Sequence, residues 1–204
     1  GHTRYVSNFI PPIPGIDPHI RNVTSLLHFQ GANATVQLRD ITSRLWSCNG
    51  NAQIRTSRSL VGGSSVYLDG SGDSITTAAD PAAFTFDGDF TVEMWVFPEL
   101  ATYATTKTLW DNSVNAGGAL GMGIGLQTDN RPYLFNYQNL SFVIQSPTPL
   151  TINDWNHIAV SRIGNITRLF QNGQLVGSTT GLIATVVNGA TLNVGGHSTA
   201  GAQF

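Results

Sequence analysis

Glu93 and Glu99 are the only two glutamates in this 204-residue chain, and the first question is whether they form a catalytic pair. A glycosidase holds two carboxyl groups about 5–9 Å apart across its sugar. Residues 90–97 alternate in strand fashion, and six residues of strand place the two glutamates roughly 20 Å apart. Pro98 also breaks the alternation between them. Asp87 and Asp89 stand closer, but Gly88 between them reads as a turn. The five histidines, His2, His19, His28, His157 and His197, show no metal-ligand spacing, and no Gly-x-Ser-x-Gly elbow occurs. Cys48 is single, so it offers neither an internal disulfide nor a cysteine-based zinc site. These residue types predict that the protein is not an enzyme.

Binding chemistry fares better. Along Phe90–Phe97, the side chains of Phe90, Val92, Met94 and Val96 share one face, and Thr91, Glu93, Trp95 and Phe97 share the other. The apolar set is expected to meet an opposing sheet. The second set then lines the outer face, where an indole beside a carboxylate can stack on a sugar and hydrogen-bond its hydroxyls. By the same parity Trp155 and His157 lie opposite in sense to Ile158 and Val160. Glu93, Trp95, Trp155 and His157 are therefore the candidate sugar-binding residues. An alternative stands beside this: long loops cover the face, and Trp95 and Trp155 form a second small core.

These side chains need strands to position them. Short period-2 runs rich in Thr, Val, Ile and aromatics begin with Leu26–Phe29, Arg44–Cys48, Ser65–Leu68, Ser74–Thr77 and Phe90–Phe97. They continue as Thr106–Trp110, Leu120–Leu126, Tyr133–Tyr137, Ser141–Gln145, Trp155–Arg162, Thr167–Gln171, Leu175–Thr179 and Thr191–Val194. About a dozen such runs with almost no helical period predict an all-β antiparallel sandwich or barrel. Asn172-Gly173 is the clearest hairpin turn, and Asp69–Asp73 reads as a longer loop. Asp80 and Pro81 suit the start of one helical turn ending at Phe84. Gly117, Gly118, Gly121, Gly123 and Gly125 lack the context of a phosphate loop. Alternating glycine in a strand instead marks a place where another group crowds the sheet. Residues 1–20, with Pro11, Pro12, Pro14 and Pro18, form an extended arm, either a linker or an anchor on a neighbouring subunit. Residues 21–204 form the folded domain.

Composition narrows the partners. Only 11% of residues are charged, net charge is −2, and Lys107 is the single lysine. Sixteen Ser, 22 Thr, 16 Asn and 22 Gly take the place of charge. So few cations cannot neutralise many phosphates, which excludes a nucleic-acid role, and polybasic membrane binding fails for the same reason. Apolar runs fall short of the roughly 20 residues that span a bilayer, and no signal-peptide pattern opens the chain. Sequons at Asn22, Asn33, Asn139 and Asn165 are expected by chance in a chain this rich in Asn, Ser and Thr.

Five segments in order carry a resemblance. Ser25–Gly31 is similar to the opening strand of the laminin G-like, concanavalin A-like lectin/glucanase domains, and Tyr67–Ile75 to their Asp-Gly hairpin. Phe90–Pro98 resembles their central strand, while Trp155–Arg162 and Arg168–Gly173 resemble the hairpin region that follows. The resemblance implies a two-sheet antiparallel jelly roll whose outer face is concave. It implies no single function. The clustered acids of the lectin-like glucanases are missing, since Glu93-Met94-Trp95-Val96-Phe97-Pro98-Glu99 has no acid between its ends. Calcium is a habit of the family; oxygen ligands would come from Asp69, Asp73, Asp111, Asn112 or Asp129, all of which are also ordinary turn residues. No cofactor is required. Family members continue after Gly195-Gly196 with a closing strand, whereas this sequence reaches Phe204. Either more sequence follows, or a second chain or a neighbour's arm covers the edge.

The low-charge, Thr/Asn/Gly-rich version most resembles copies found in bacteriophage structural proteins. On that basis the expected function is a non-enzymatic interaction module of a virus particle, a head-decoration or tail-associated protein assembled in the host cytoplasm. Pro11, Pro12, Pro14 and Phe204 would contact other virion proteins or copies of the chain. The alternative is an extracellular carbohydrate-binding module recognising cell-surface glycan, and a glucanase is the remote third.

Overall fold

The computed structural model describes residues 20–78, 80, 83–113, 121–138, 141–181 and 191–196. Apart from one 3-10 turn at Ile20–Asn22, the regular structure of these residues is all β. The strands are β1 (Gln37–Arg39), β2 (Leu45–Asn49), β3 (Gln53–Arg55), β4 (Ser65–Tyr67), β5 (Ser74–Thr77), β6 (Phe90–Val96) and β7 (Lys107–Asp111). They continue as β8 (Met122–Leu126), β9 (Pro132–Asn136), β10 (Ser141–Gln145), β11 (Asn156–Ile163), β12 (Ile166–Gln171), β13 (Gln174–Thr180) and β14 (Leu192–Val194).

Two antiparallel sheets pack face to face. The larger has the order β1-β2-β5-β14-β7-β8-β9-β10, the smaller β13-β12-β11-β6, and β3-β4 form a separate hairpin. β6 and β12 alternate as the sequence predicts, whereas β7 and β8 are buried at every position. Ile158, Val160 and Leu169 of the small sheet share one core with Met122, Ile124, Leu126 and Leu134 of the large one, all fully buried. Each such side chain contributes about 1.5–3 kcal/mol when removed from water. Trp46 and Ile75 extend this core across β2 and β5.

Turn chemistry sets the hairpins. Asn172 and Gly173 between β12 and β13 both have positive φ (51° and 77°), as a type I′ turn requires. The Asp69–Asp73 loop closes on Asp73, whose carboxylate accepts the Asn51 and Asp69 backbone N–H groups at 2.5 and 2.6 Å. Asp80 does cap a turn: its carboxylate and carbonyl accept the amides of Ala83 and Phe84. Gly123 and Gly125 lie in β8 under the rings of Tyr137 and Tyr133, and a Cβ at Gly125 would also strike the Lys107 carbonyl. This is the crowding that alternating glycine predicts; Gly117 and Gly118 lie outside the described residues.

The opening segment differs from expectation. Leu26–Phe29 is not a strand. Its backbone is held by single contacts, with the Leu26 carbonyl accepting from Ile41 and the Phe29 carbonyl from Ser64, and Phe29 has φ 52°, which no ladder tolerates. In its place β1 and β3 occur, three residues each and dominated by polar side chains, too short for a visible period.

One buried carboxylate ties this region to the sheet. Asp40 accepts hydrogen bonds from Ser25 Oγ (2.6 Å), the Thr42 and Arg44 amides (2.9 Å each), Thr42 Oγ1 (2.6 Å) and the Trp46 indole (3.2 Å). Burial pushes its carboxyl up, but the donors from Ser25, Thr42, Trp46 and Arg44 outweigh this and hold it below the ordinary value of 3.8. Because folding depresses this value, the contribution is complete above pH 3.8 and fades as pH falls through the folded value. Asp40→Ala is expected to cost about 3 kcal/mol by leaving these donors unpaired. In thermal melts, Asp40→Asn should start from a lower Tm at neutral pH and lose less than the parent on acidification.

Candidate functional site

The site is built on the pairing of β6 with β11. Their register sets Val96 opposite Asn156, Trp95 opposite His157, Met94 opposite Ile158 and Glu93 opposite Ala159, without a shift along seven pairs. Because strand side chains alternate, this register sends Ile158 and Val160 to the core and puts Glu93, Trp95 and His157 together on the outer face. The His157 amide donates to Asn172 Oδ1 at 2.8 Å, so the β12–β13 turn anchors the start of β11.

Three of the four predicted residues meet. Trp95 and His157 rings stand 5.0 Å apart, tilted by 48°, and His157 Nε2 lies 3.4 Å from Glu93 Oε2. The hydrogen bond from His157 holds the Glu93 carboxyl below its ordinary value of 4.5; partial burial opposes this, and charge on His157 adds to it. Trp95 is 42% exposed. Among the described residues the Trp95 indole is thus open, whereas Trp155 is half-buried.

Trp155 occupies the next rung. It packs edge-on against Phe97 at 5.5 Å. The Arg58 guanidinium lies 4.1 Å from the centroid of the Phe97 ring and pairs with Glu99. Phe97 and Arg58 are additions to the predicted set. Parity along β6 already placed Phe97 on this face. Arg58 arrives from the loop between β3 and β4, and nothing local in the sequence announces it. The two glutamates have separate partners, Glu93 with His157 and Glu99 with Arg58.

The five calcium candidates occupy three separate places. Asp73 spends its carboxylate on two backbone N–H groups, and Asp69 accepts from Ser71 and Asn51. Asp111 Oδ1 accepts from both the amide and the hydroxyl of Ser113, and Asn112 Oδ1 accepts from Met122. Asp129 pairs with Arg131 on the surface. Among the described residues no three His, Cys, Asp or Glu side chains converge. A calcium ion takes six to eight oxygens, and donors committed to turn amides at three places do not fit it. Pro11, Pro12, Pro14 and Phe204 lie outside the described residues.

A family profile described as the concanavalin A-like lectin/glucanases superfamily matches residues 69–204. No curated protein matches the chain. Among solved structures, a Trypanosoma rangeli sialidase mutant with trans-sialidase activity superposes with a TM-score of 0.65 at 12% identity, over 91% of this chain and 29% of the sialidase. Botulinum neurotoxin type C, whose cell entry depends upon interaction with two ganglioside molecules, superposes with a TM-score of 0.61 at 16% identity, over 87% of this chain and 43% of that one. Domain 4 of AbnA, an extracellular arabinanase of Geobacillus stearothermophilus in complex with arabinotriose, gives a TM-score of 0.59 at 17% identity over 84% of both chains. The chain thus spans less than half the length of the first two. At these identities the likeness establishes the fold, a sandwich that is not specific to enzymes.

The link between His157 and Glu93 is directly measurable. In carbon-detected NMR titrations the Glu93 carboxyl should titrate below 4.5 in the parent protein and move upward in His157→Phe, which keeps the ring contact with Trp95 but removes the donor. An unchanged titration would show that the hydrogen bond is not what depresses it.

Proposed function

Because the chain belongs to the concanavalin A-like lectin/glucanases superfamily, we propose that it is a non-enzymatic carbohydrate-binding module whose ligand sits on the outer face of β6 and β11. The observation that carries this reading is the open indole of Trp95 with His157 at 5.0 Å and the Glu93 carboxylate beside it. An aromatic face packs against the C–H face of a pyranose or furanose, while carboxylate and imidazole fix the hydroxyls. Phe97 and Trp155 lengthen the strip for a second sugar unit. The ionised Glu93 favours a neutral glycan, because an acidic sugar would meet like charge there. The arabinotriose bound by the arabinanase domain, a neutral oligosaccharide, supports this reading from within the same fold.

The non-catalytic part of the proposal is supported by the separate engagement of the two glutamates, Glu93 with His157 and Glu99 with Arg58. Neither is held as a free acid facing a second carboxylate. The reading requires no metal.

A second reading has support of its own. The nearly neutral, hydroxyl- and amide-rich composition suits packing against neighbouring subunits at small desolvation cost. It favours a structural module of a virus particle, such as a bacteriophage head-decoration or tail-associated protein, that meets virion proteins or its own copies through residues 1–20. Deleting those residues should then abolish incorporation into particles while leaving the circular dichroism of the fold unchanged, and normal incorporation would end that reading.

For the principal reading, a glycan array probed with the whole chain should light up on neutral oligosaccharides. Trp95→Ala should weaken the hits at least about tenfold without loss of folding, as expected when one stacking platform is removed. Silence across a broad array overturns the proposal.

A further inference from the structure

The inner face of the small sheet has a polar group at each end, and the two ends differ. At one end Gln171, opposite Ile158, is buried with both halves of its amide in use. Its Oε1 accepts from Ser146 Oγ at 2.7 Å, and its Nε2 donates to the Pro149 carbonyl at 3.1 Å. The row through Val92, Val160 and Leu169 is apolar. At the other end a row crosses all four strands through Phe90, Arg162, Thr167 and Thr179. The parity that buries Val160 and Leu169 sets this guanidinium and these hydroxyls on the same inner face.

That row is rich in donors and poor in acceptors. Arg162 is only 7% exposed, and Thr167 is fully buried. The Arg162 Nε donates to the Gly164 carbonyl at 3.1 Å, whereas Nη1 is buried with no acceptor among the described residues. The Thr167 hydroxyl, on the position paired with Arg162, is likewise buried and unpartnered. Asp89 reaches the same hairpin, but its Oδ1 takes the Gly164 amide at 2.7 Å. Among the described residues no carboxylate forms an ion pair with Arg162. A guanidinium and a hydroxyl taken out of water without acceptors are costly.

The partner these groups call for has a definite chemistry. A guanidinium can only donate, and the hydroxyl beside it has a proton to give, so the partner is an acceptor. Water would satisfy the hydrogen bonds but not the charge. One guanidinium balances one negative charge, and a dianion would leave an excess charge beside Phe90, Val92 and Val160. The apolar row next to the site offers no further donors to a larger oxyanion. Residues 163–166 at the hairpin tip are exposed, so solvent stands at the mouth of the site. We propose that Arg162 and Thr167 bind a small inorganic monoanion of the halide class, chloride in ordinary salt solution, on the inner face at the end of β11 and β12. The ion neutralises the guanidinium, accepts from both side chains and fastens the β11–β12 hairpin to the sandwich. This site lies on the opposite face of the sheet from Glu93, Trp95 and His157 and does not rest on the glycan reading.

Thermal melts of the whole chain test it. When sodium gluconate, whose anion is too large for the site, is exchanged for sodium chloride at constant ionic strength, Tm should rise by about 3 °C. Arg162→Gln should lose that dependence. A bromide-soaked crystal of the parent needs no variant and serves even if Arg162→Gln fails to fold; an anomalous peak is expected in contact with Arg162 Nη1 and the Thr167 hydroxyl. Equal melting of the parent in the two salts overturns the proposal, whether water or Asp17, the one acid outside the described residues, meets the guanidinium. So does a chloride response that Arg162→Gln retains, which is a general salt effect. A bromide peak with no chloride response in solution is binding at crystal concentration only, and it overturns the proposal as well.

Discussion

The register between β6 and β11 is the constraint on which both faces of the small sheet depend. A slip of one residue would carry Val92 and Met94 to solvent and Glu93 and Trp95 into the core. Burial of Ile158 and Val160 against Ile124, Leu126 and Leu134 forbids this. The same apolar contacts that close the sandwich therefore hold Trp95 beside His157 and Glu93 on the outside. Binding geometry here is a by-product of core packing, held on rigid strands rather than on loops, which costs the ligand little ordering entropy.

Low charge acquires a structural meaning in this setting. The few carboxylates are spent locally, Asp40 on five donors around the β1–β2 turn and Asp73 on the backbone amides of Asn51 and Asp69. Arg44 joins Asp40 to Asp80 and so links that turn to the capped segment before β6. Charges used this way brace loops and leave the faces to hydroxyls, amides and rings. Arg162 is the exception, a buried guanidinium whose Nη1 finds no acceptor, and it stands where the apolar inner face of β6 is least covered.

Much of this architecture was legible from residue order. The alternation in Phe90–Phe97 and Trp155–Arg162 marked β6 and β11 and sorted their faces, because a two-residue period needs only local information. Asn172-Gly173 announced its hairpin through the positive φ both positions require. Legibility failed where strands were too short to show a period, as at β1 and β3. It also failed where an alternating run found no partner, as at Leu26–Phe29. Propensity can nominate a strand, but a ladder needs a neighbour, and Phe29 turns into the left-handed region instead.

By itself the sequence determined the all-β class, the inner and outer faces of the central strands, and the set Glu93, Trp95, Trp155 and His157 as residues of one surface. These follow from period-2 alternation and turn chemistry, which act between near neighbours in the chain. Tertiary structure decided that the indole of Trp95 is open, that Arg58 reaches Phe97, that the calcium candidates stand apart, and that β6 ends the small sheet among the described strands. Each of those facts depends on which distant segments pack side by side, and that is set by the burial of whole faces rather than by any local pattern.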